Sequence, residues 1–318
     1  MNTHTVTIHN SQSKTKQRNT EMSVSTFNTP SPIIVTLDLY VADVRFVPSD
    51  RADTVVEVSP SDPGKSADVR AAEGTRVEYD EATRTLSVVS RKPLNRFVNF
   101  SSKRPDAIDV VIQLPTDSDV RGEAELGDFQ SDGVLGAVAL KTHLGAVRLA
   151  ETGPLNVRNG VGGVSVEGVS GSAEVRNSSG DIQIGAVDGT ADVSTGNGKV
   201  HVGVVTGPAN VKTTNGSVSV GRALTDITAA SSNGEARIGE VVRGKVSATS
   251  KNGSVEVGIR TGSAAFLELN TDVGRVYNEL AAADAPEAGE PVDKVEVHAS
   301  TKLGDVTIRR APRLDQEA

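Results

Sequence analysis

Three carboxylates lie close together in the sequence and could serve as a catalytic pair: Glu125, Asp128 and Asp132. Two such groups act as acid and base, or as acid and nucleophile, in the hydrolysis of glycosidic bonds. Aspartate is also a common turn residue, because its side chain accepts hydrogen bonds from the nearby backbone. Asp128 and Asp132 each adjoin a glycine, so the turn interpretation is favoured over the catalytic one.

A near match to a phosphate-binding loop runs from Gly239 to Val246, with Gly244 and Lys245 in place. This motif requires Ser or Thr after the lysine and a helix that begins there, because the phosphates rest against the helix N-terminus. Val246 occupies the Ser/Thr position and the surrounding pattern is not helical. The sequence therefore predicts no nucleotide site here.

Potential metal ligands are scattered along the chain. The histidines fall at different points of the repeat described below, and they are His4, His9, His143, His201 and His298. The chain has no cysteine, which excludes disulfides, thiolate metal sites and a cysteine nucleophile. The sequence accordingly predicts no catalytic residue, no metal site and no cofactor.

One basic segment stands out, because positive charges and aromatic rings alternate between residues 91 and 104. Its candidate partner-binding residues are Arg91, Lys92, Arg96, Phe97, Phe100, Lys103 and Arg104. Such a pattern can hold single-stranded nucleic acid or an anionic surface. The alternative is a solvated loop between strands whose Phe side chains pack on a neighbouring sheet, and this alternative is favoured because most charge runs are simply exposed.

A regular spacing of glycine predicts the secondary-structure elements that would position these residues. Glycine recurs every 18 residues over much of the second half of the chain, and one further glycine continues the series one residue late. The predicted corner residues of this ladder are Gly162, Gly180, Gly198, Gly216, Gly234 and Gly253. A fixed repeat of this length is typical of a stacked, solenoidal architecture.

Apolar residues alternate with polar ones around each ladder glycine, as in Val200 and Val202 after Gly198. This alternation predicts short, half-buried strands. A second glycine series half a period away, from Gly171 to Gly262, predicts another corner in each repeat. The fold class is therefore all-β: a parallel β-helix-like solenoid with coils of about 18 residues and an N-terminal β cap.

The chain divides into four parts on this basis. Residues 1–26 are predicted to be a disordered tail, with Met22 as an alternative start to Met1. Residues 27–119 form the β cap or first irregular coils, because strand and turn signals there lack the period. Residues 120–310 form ten solenoid coils, interrupted by a loop at 281–293 and ending with a coil that starts at Val297. Residues 311–318 are a charged tail.

Composition limits the classes of function. The net charge of −8 argues against nucleic acid as the main partner. The chain has no run of 18 apolar residues, so no transmembrane segment is predicted, and the polar first 26 residues lack the apolar region of a secretory signal. We therefore expect a cytoplasmic protein, with peripheral envelope association left open.

Several segments resemble a known family. The motif NGSVSVG, followed by a second small corner, is repeated over more than half of the chain. Together with the opening FNTP, the following IIVTLDLYVADVRF and ADTVVEV, and the closing VEVHASTKLGDVTIRR, it resembles the DUF4097 or "putative adhesin" β-strand-repeat proteins, in particular their actinobacterial members. The resemblance covers roughly residues 27–310 and implies the fold; it brings no catalytic residues.

Three functions are compatible with the sequence. The first is a non-catalytic scaffold or binding protein of unknown protein or polymer partner, which could also self-associate through its end rungs because they expose strand edges. The second is a polysaccharide-acting β-helix enzyme, which the absence of Trp and the small outward side chains disfavour. The third is an envelope-associated regulatory protein held at the membrane by the basic segment.

Overall fold

The computed structural model describes residues 23–90, 106–280 and 293–311. Within these ranges the chain forms 26 strands and one helix. The predicted all-β solenoid with parallel coils is confirmed: each coil adds one strand to each of two opposed faces, and consecutive coils pair in parallel register, for example Val175 with Val193. We call the two faces A and B.

Face B consists of thirteen strands of the described residues, of which β2 contributes only residues 34–41. From the N-terminal to the C-terminal end they are β4 (Arg76–Asp80), β5 (Thr85–Val89), β2 (Ile34–Ser49), β7 (Asp119–Leu126), β9 (Val138–Leu144), β11 (Leu155–Val161), β13 (Ala173–Ser179), β15 (Ala191–Asn197), β17 (Ala209–Asn215), β19 (Ile227–Asn233), β21 (Gly244–Asn252), β25 (Lys294–Leu303) and β23 (Ala264–Val273).

Face A consists of fourteen strands of the described residues, including residues 42–49 of β2. In the same direction they are β1 (Ser23–Asn28), β3 (Asp53–Pro60), β6 (Ile108–Pro115), β2, β8 (Phe129–Leu135), β10 (Val147–Thr152), β12 (Val164–Ser170), β14 (Ile182–Asp188), β16 (Val200–Val205), β18 (Val218–Ala223), β20 (Ala236–Val241), β22 (Val255–Ile259), β26 (Val306–Arg310) and β24 (Val276–Asn278).

The N-terminal cap differs from the coils in having antiparallel strands. β1 pairs antiparallel with β3, β3 with β6, and β4 with β5. The single helix of the described residues, α1 (Ser66–Glu73), contacts β3 and β6. Its buried Asp68 accepts hydrogen bonds from the Lys65 ammonium at 2.9 Å and from the Ala107 N–H at 3.2 Å.

The prediction that residues 1–26 form a disordered tail is wrong for residues 23–26. They belong to β1, where Thr26 lies opposite Val55. The strand forms because its backbone groups pair with β3 and because the Phe27 ring packs against Tyr79, with ring centroids 5.4 Å apart. These contacts come from residues far along the chain and leave no periodic signal in the tail itself.

The order of the last coils also differs from the order in the sequence. We predicted that the coil beginning at Val297 ends the stack. Instead, β25 and β26 lie between β21 and β22 on one side and β23 and β24 on the other. The coil of β23 and β24 is therefore the outermost one at the C-terminal end of the described structure.

The core is a single layer between the faces, and its side chains change along the solenoid. Large side chains such as Phe46 and Phe129 fill the N-terminal end, whereas Val193, Val202 and Ala229 are typical of the coils. Thin coils leave space mainly for aliphatic side chains such as Val, Ile, Leu and Ala, because the two strands of a coil are joined by tight corners. This packing explains the scarcity of aromatic residues.

Polar side chains also lie inside the coils, in a row beside the ladder glycines. Each donates a hydrogen bond to a glycine carbonyl of the neighbouring coil, as Thr213 does to Gly198 at 3.0 Å. The row includes Asn159, Asn177, Thr195, Thr213, Ser231, Ser250 and Thr301. On the outside of the same corner, the amides of Asn197, Asn215, Asn233 and Asn252 form a ladder with spacings of 2.7–2.8 Å.

The six ladder glycines predicted as corners have φ between +133° and +150°. They are also in close contact along the stack: a Cβ at Gly216 would lie 2.0 Å from the Gly198 carbonyl oxygen. Both the conformation and the space therefore require glycine. The 18-residue spacing of the sequence is the spacing of these stacked corners.

Candidate binding surface at the C-terminal end

The three carboxylates considered for glycoside hydrolysis each lie beside a basic side chain. Asp132 binds the Arg45 guanidinium, with an Nε–Oδ2 distance of 2.9 Å. Asp128 lies 3.1 Å from Arg148 and also accepts the N–H of Ala146 at 2.7 Å. Glu125 lies 3.3 Å from the Nδ1 of His143. Asp128 thus has the turn role that its position beside Gly127 predicts.

The near match to a phosphate-binding loop is a strand-to-strand corner. Gly239 lies in β20, and Gly244 and Lys245 begin β21. The Lys245 N–H donates to the Asp226 carboxylate at 2.8 Å, and its Nζ lies 3.6 Å from Glu296. The backbone N–H and the ammonium group of Lys245, which would contact a phosphate, therefore both face carboxylates. A strand also lies where the motif needs a helix.

The basic segment lies outside the described residues. This holds for every candidate partner-binding residue predicted there: Arg91, Lys92, Arg96, Phe97, Phe100, Lys103 and Arg104. Most of the predicted loop at 281–293 and of the tail at 311–318 also lies outside the described ranges. In the part of the chain that the structure describes, no group of three His, Asp or Glu side chains is placed to hold a metal ion, and no helix is long and apolar enough to cross a membrane.

An unpaired strand edge is the main feature that the structure adds. Among the described residues, β23 pairs only with β25, over nine register positions from Ala264 to Val273, and β24 pairs only with β26. In the described structure, the outer edge of β23, ten residues long, therefore has no paired strand, and the N–H and C=O groups of alternate residues face away from β25. The pairing with β25 has no bulge and β23 contains neither proline nor lysine, so of the usual features that block an edge it has only charged side chains, Glu268 and Asp272.

The apolar layer is also incomplete at this end. Val297 and Ala299 of β25 are fully buried, whereas Leu267 and Leu269, their partners in β23, are only partly buried. On face A, Val276 is exposed although its partner Val306 is fully buried. One more strand on each face would cover these side chains as every inner coil covers its neighbour.

Large apolar side chains surround the open edge. Phe266 is 66% exposed and Val273 63% exposed, and Leu303 and Tyr277 are also exposed. A shallow hollow of about 590 Å³ lies beside Phe266, over the first residues of β21, β25 and β23. Of these side chains, Val273 and Leu303 are register partners, and adjoining exposed apolar groups mark interaction surfaces more often than isolated ones do.

A charged cluster joins the terminal strand to its neighbour on the outside of face B. The Nδ1 of His298 lies 2.8 Å from Glu268 of β23, and its Nε2 lies 2.9 Å from Glu296 of β25. The hydrogen bond with Glu296 raises the pKa of His298 above its usual value; burial opposes this effect and Glu268 adds to it. The same hydrogen bond, followed by the nearby Lys245 charge, lowers the pKa of Glu296. A protonated His298 can donate to both carboxylates at once.

Sequence reasoning missed this surface for an identifiable reason. Glu268 and His298 lie at the same repeat position, each six residues before Gly274 or Gly304, and are register partners in β23 and β25; the sequence did not show that β23, rather than β25, is the outermost strand. The exposed Phe266 in a chain with few aromatic residues is the one local signal that could have pointed to this end.

Comparison with known proteins agrees with the architecture. The sequence profile of the family described as Toastrack DUF4097 matches residues 34–309. The chain belongs to the Toastrack DUF4097 family. This confirms the resemblance inferred from the repeated corner motif. No curated protein matches the chain by sequence.

Several solved structures are similar to this Toastrack chain over most of its length. A "putative adhesin" from Parabacteroides merdae ATCC 43184 is 11% identical and has a TM-score of 0.36, with 91% of this chain and 97% of that chain covered. A "putative lipid binding protein" from Parabacteroides distasonis ATCC 8503 is 12% identical, with a TM-score of 0.39 and coverages of 92% and 98%. At these identities and TM-scores, neither assigns a function to this chain.

Proposed function

We propose that this Toastrack protein is a non-catalytic scaffold that binds an extended polypeptide strand at the outer edge of β23. The observation that carries the proposal is the combination of a ten-residue unpaired edge with the half-covered side chains of Leu267 and Leu269. Strand addition supplies main-chain hydrogen bonds along an edge, and pockets for alternate side chains supply the selectivity.

The chemistry of the ligand follows from the pleat of β23. Side chains that point inward alternate with those that point outward, and the inward set comprises Ala265, Leu267 and Leu269. A strand that adds here therefore needs apolar residues at every second position, as β25 has with its buried Val295, Val297 and Ala299. Its outward residues meet the exposed Phe266 and Glu268.

The outward surfaces of the coils support a scaffold better than an enzyme. Charged residues there form pairs along the stack, such as Lys141 with Glu123 at 2.8 Å and Arg176 with Asp192 at 3.8 Å. Such exposed pairs neutralise each other and keep the surface regular. The stack thereby holds its terminal coil at the end of a rigid support.

A peptide that copies β25, Lys294–Leu303, tests the proposal. We expect saturable binding, measured by fluorescence anisotropy of the labelled peptide, because its apolar residues match the open layer. The control peptide carries proline in place of Val297 and Ala299, which removes backbone donors and blocks pairing.

Two protein variants locate the binding. Leu267→Lys places a charge in the open layer and should abolish binding, whereas Leu144→Lys, at an exposed position on a distant coil, should leave it unchanged. Binding that is equal for both peptides, or unaffected by Leu267→Lys in a folded protein, would disprove strand addition at β23.

Two sequence predictions remain as parts of the proposal. A cytoplasmic location is tested by fractionation of cells that express the native chain. Binding by the basic segment is tested with anionic lipid vesicles, where replacement of Arg91, Lys92, Lys103 and Arg104 by Ser should remove any salt-sensitive binding.

A further inference from the structure

We infer that the exposed asparagine ladder is a site of chemical modification: Asn252 deamidates first, and the reaction then proceeds from coil to coil toward Asn197. This inference goes beyond the proposed function and does not depend on what binds at β23. It concerns the outside of the ladder corner, where each exposed asparagine directly precedes a ladder glycine. These asparagines are Asn197, Asn215, Asn233 and Asn252.

An Asn-Gly pair carries the reacting groups for deamidation within two residues. The backbone nitrogen of Gly253, once deprotonated, attacks the side-chain carbonyl carbon of Asn252. The new C–N bond closes a five-membered succinimide, and Nδ2 leaves as ammonia with the proton that the backbone nitrogen has lost. Water then adds to either carbonyl of the ring and opens it to aspartate or isoaspartate. Glycine favours the reaction because it has no side chain to obstruct the attack.

In the folded stack, the following coil holds the attacking nitrogen. The Gly253 N–H donates to the Leu303 carbonyl of β25 at 2.8 Å. A nitrogen whose hydrogen is bonded in this way loses its proton only after a local opening, in which the coil on the C-terminal side separates. The corresponding bonds deeper in the stack join Gly234 to Asn252, Gly216 to Asn233 and Gly198 to Asn215, at 2.8–2.9 Å.

The number of coils beyond each bond sets the cost of that opening. In the described structure two coils lie beyond Gly253, namely that of β25 and β26 and that of β23 and β24. One further coil lies beyond each preceding bond, so five must separate before the Gly198 N–H is released. Because the stability of a stack is roughly a sum over neighbouring coils, the glycine amides should open in order from Gly253 to Gly198.

Side-chain hydrogen bonds link one modification to the next. The Asn252 amide donates to Asn233 Oδ1 at 2.7 Å. Deamidation replaces this donor by a carboxylate oxygen, which accepts hydrogen bonds only and therefore repels the carbonyl oxygen of Asn233. The contact between β21 and β19 weakens, and the same contact includes the Gly234 N–H that protects the next site. The modification thus loosens the stack progressively from its C-terminal end.

A fifth Asn-Gly pair, Asn159-Gly160, is a control within the chain. The Asn159 side chain points into the coil and is 5% exposed. Its amide donates to the carbonyls of Gly145 and Gly162 at 3.1 and 3.0 Å. Because this leaving group is held inside the core, Asn159 should stay unmodified while the ladder reacts.

Peptide mapping by mass spectrometry tests the order, with the full chain held at mildly alkaline pH and sampled over time. We expect the deamidated fraction to fall from Asn252 through Asn233 and Asn215 to Asn197, with Asn159 unchanged. The same chain in concentrated urea should lose this order, because all five pairs are then equally free. Hydrogen exchange of the ladder glycine amides is a second readout and should be fastest at Gly253.

A pair of matched variants tests the progression. Asn252→Asp should raise the deamidation rate at Asn233 by roughly two- to tenfold, the change expected from one lost hydrogen bond. Asn197→Asp introduces the same charge at the other end of the ladder, where the side chain only accepts the amide of Asn215. This variant should leave the rate at Asn233 unchanged.

Three outcomes would overturn the inference. Equal rates at the four ladder positions of the folded protein would show that global unfolding exposes them together. A faster reaction at Asn197 than at Asn252 would reverse the predicted direction of opening. A ladder that stays intact in the folded protein, over a time in which the urea-unfolded chain reacts completely, would show that the terminal coils do not separate.

Discussion

The two ends of this solenoid finish the same stack with different kinds of strand. At the N-terminal end, antiparallel strands cover the last coil, and the rings of Phe27 and Tyr79 meet between the faces. At the C-terminal end, β23 and β24 are ordinary parallel coil strands with no strand beyond them in the described structure. The outermost strands carry partly buried apolar side chains at both ends, Val77 and Tyr79 in β4 and Leu267 and Leu269 in β23.

This difference shows what a coil needs in order to be the last one. A repeating coil buries its apolar row only against another coil, so an end is stable alone only if the chain changes its pattern there. The N-terminal segment does so by using antiparallel pairing, a helix and larger side chains such as Phe46. The C-terminal coil keeps the repeat pattern and therefore keeps the capacity to accept another strand.

The largest expected effect comes from the packed layer behind the N-terminal cap. Phe46→Ala should lower the free energy of unfolding by about 3–5 kcal/mol, because it removes a fully buried ring from that layer. Urea denaturation followed by circular dichroism measures the change. The comparison variant Leu269→Ala should have a much smaller effect, since its side chain in the outermost strand is only partly buried. Equal losses would contradict the difference in burial between the packed layer and the outermost strand.

A smaller effect is expected from the ring contact that closes the N-terminal end. Phe27→Ala and Tyr79→Ala, combined in a double-mutant cycle, should show a coupling energy of about 0.5–1.5 kcal/mol. The cycle isolates the contact between the two faces from the burial of each ring. A coupling energy near zero would mean that the pairing of β1 with β3 alone closes this end.

The smallest effect concerns pH and the open end. The hydrogen bond with Glu296, with a further contribution from Glu268, raises the pKa of His298 above its usual value of 6.5. A raised folded-state pKa means that the stabilising contribution is fully present below pH 6.5 and is lost as the pH rises through the folded-state value. Because neutral imidazole has a single N–H, it cannot donate to both Glu268 and Glu296.

Hydrogen exchange of the β23 amides, corrected for its intrinsic dependence on pH, measures this effect. We expect the β23 amides to exchange faster at pH values above the folded-state pKa of His298. Lys245 remains beside Glu296 below and above that pKa. His298→Gln should remove the dependence, and the amides of β1 serve as the internal control. A dependence of equal size in β1 would show that the change is not specific to the terminal strand.

Much of the fold was predictable because its signals are local. The glycine spacing reports corners whose φ is positive, and the alternation around Val200 and Val202 reports strands that face one core. Each of these features is decided within a few residues and then repeated. The strand that begins at Gly244, where a phosphate-binding loop would need a helix, was likewise predictable from the local pattern.

The arrangement of the ends was not predictable from the same signals. β2 spans both faces and lies between β5 and β7, far from its neighbours in sequence. The strand Ser23–Asn28 was not predicted, because it is formed by pairing with β3, which is distant in the sequence. The location of the His298, Glu268 and Glu296 cluster on the outermost strand was missed because the repeat does not encode the order of the last two coils.

The sequence by itself determined the coil: its length, its two corners, its inward rows and its membership of an all-β solenoid. Those properties depend on backbone conformation at glycine and on alternating side chains, which act over one repeat. Only the tertiary structure decided which coil is the last. Inward rows of Val, Leu and Ala are nearly interchangeable between coils, so the coil of β25 and β26 fits equally well on either side of β23 and β24. Its position between β21 and β23, and the open edge that results, depend on contacts between coils distant in the chain.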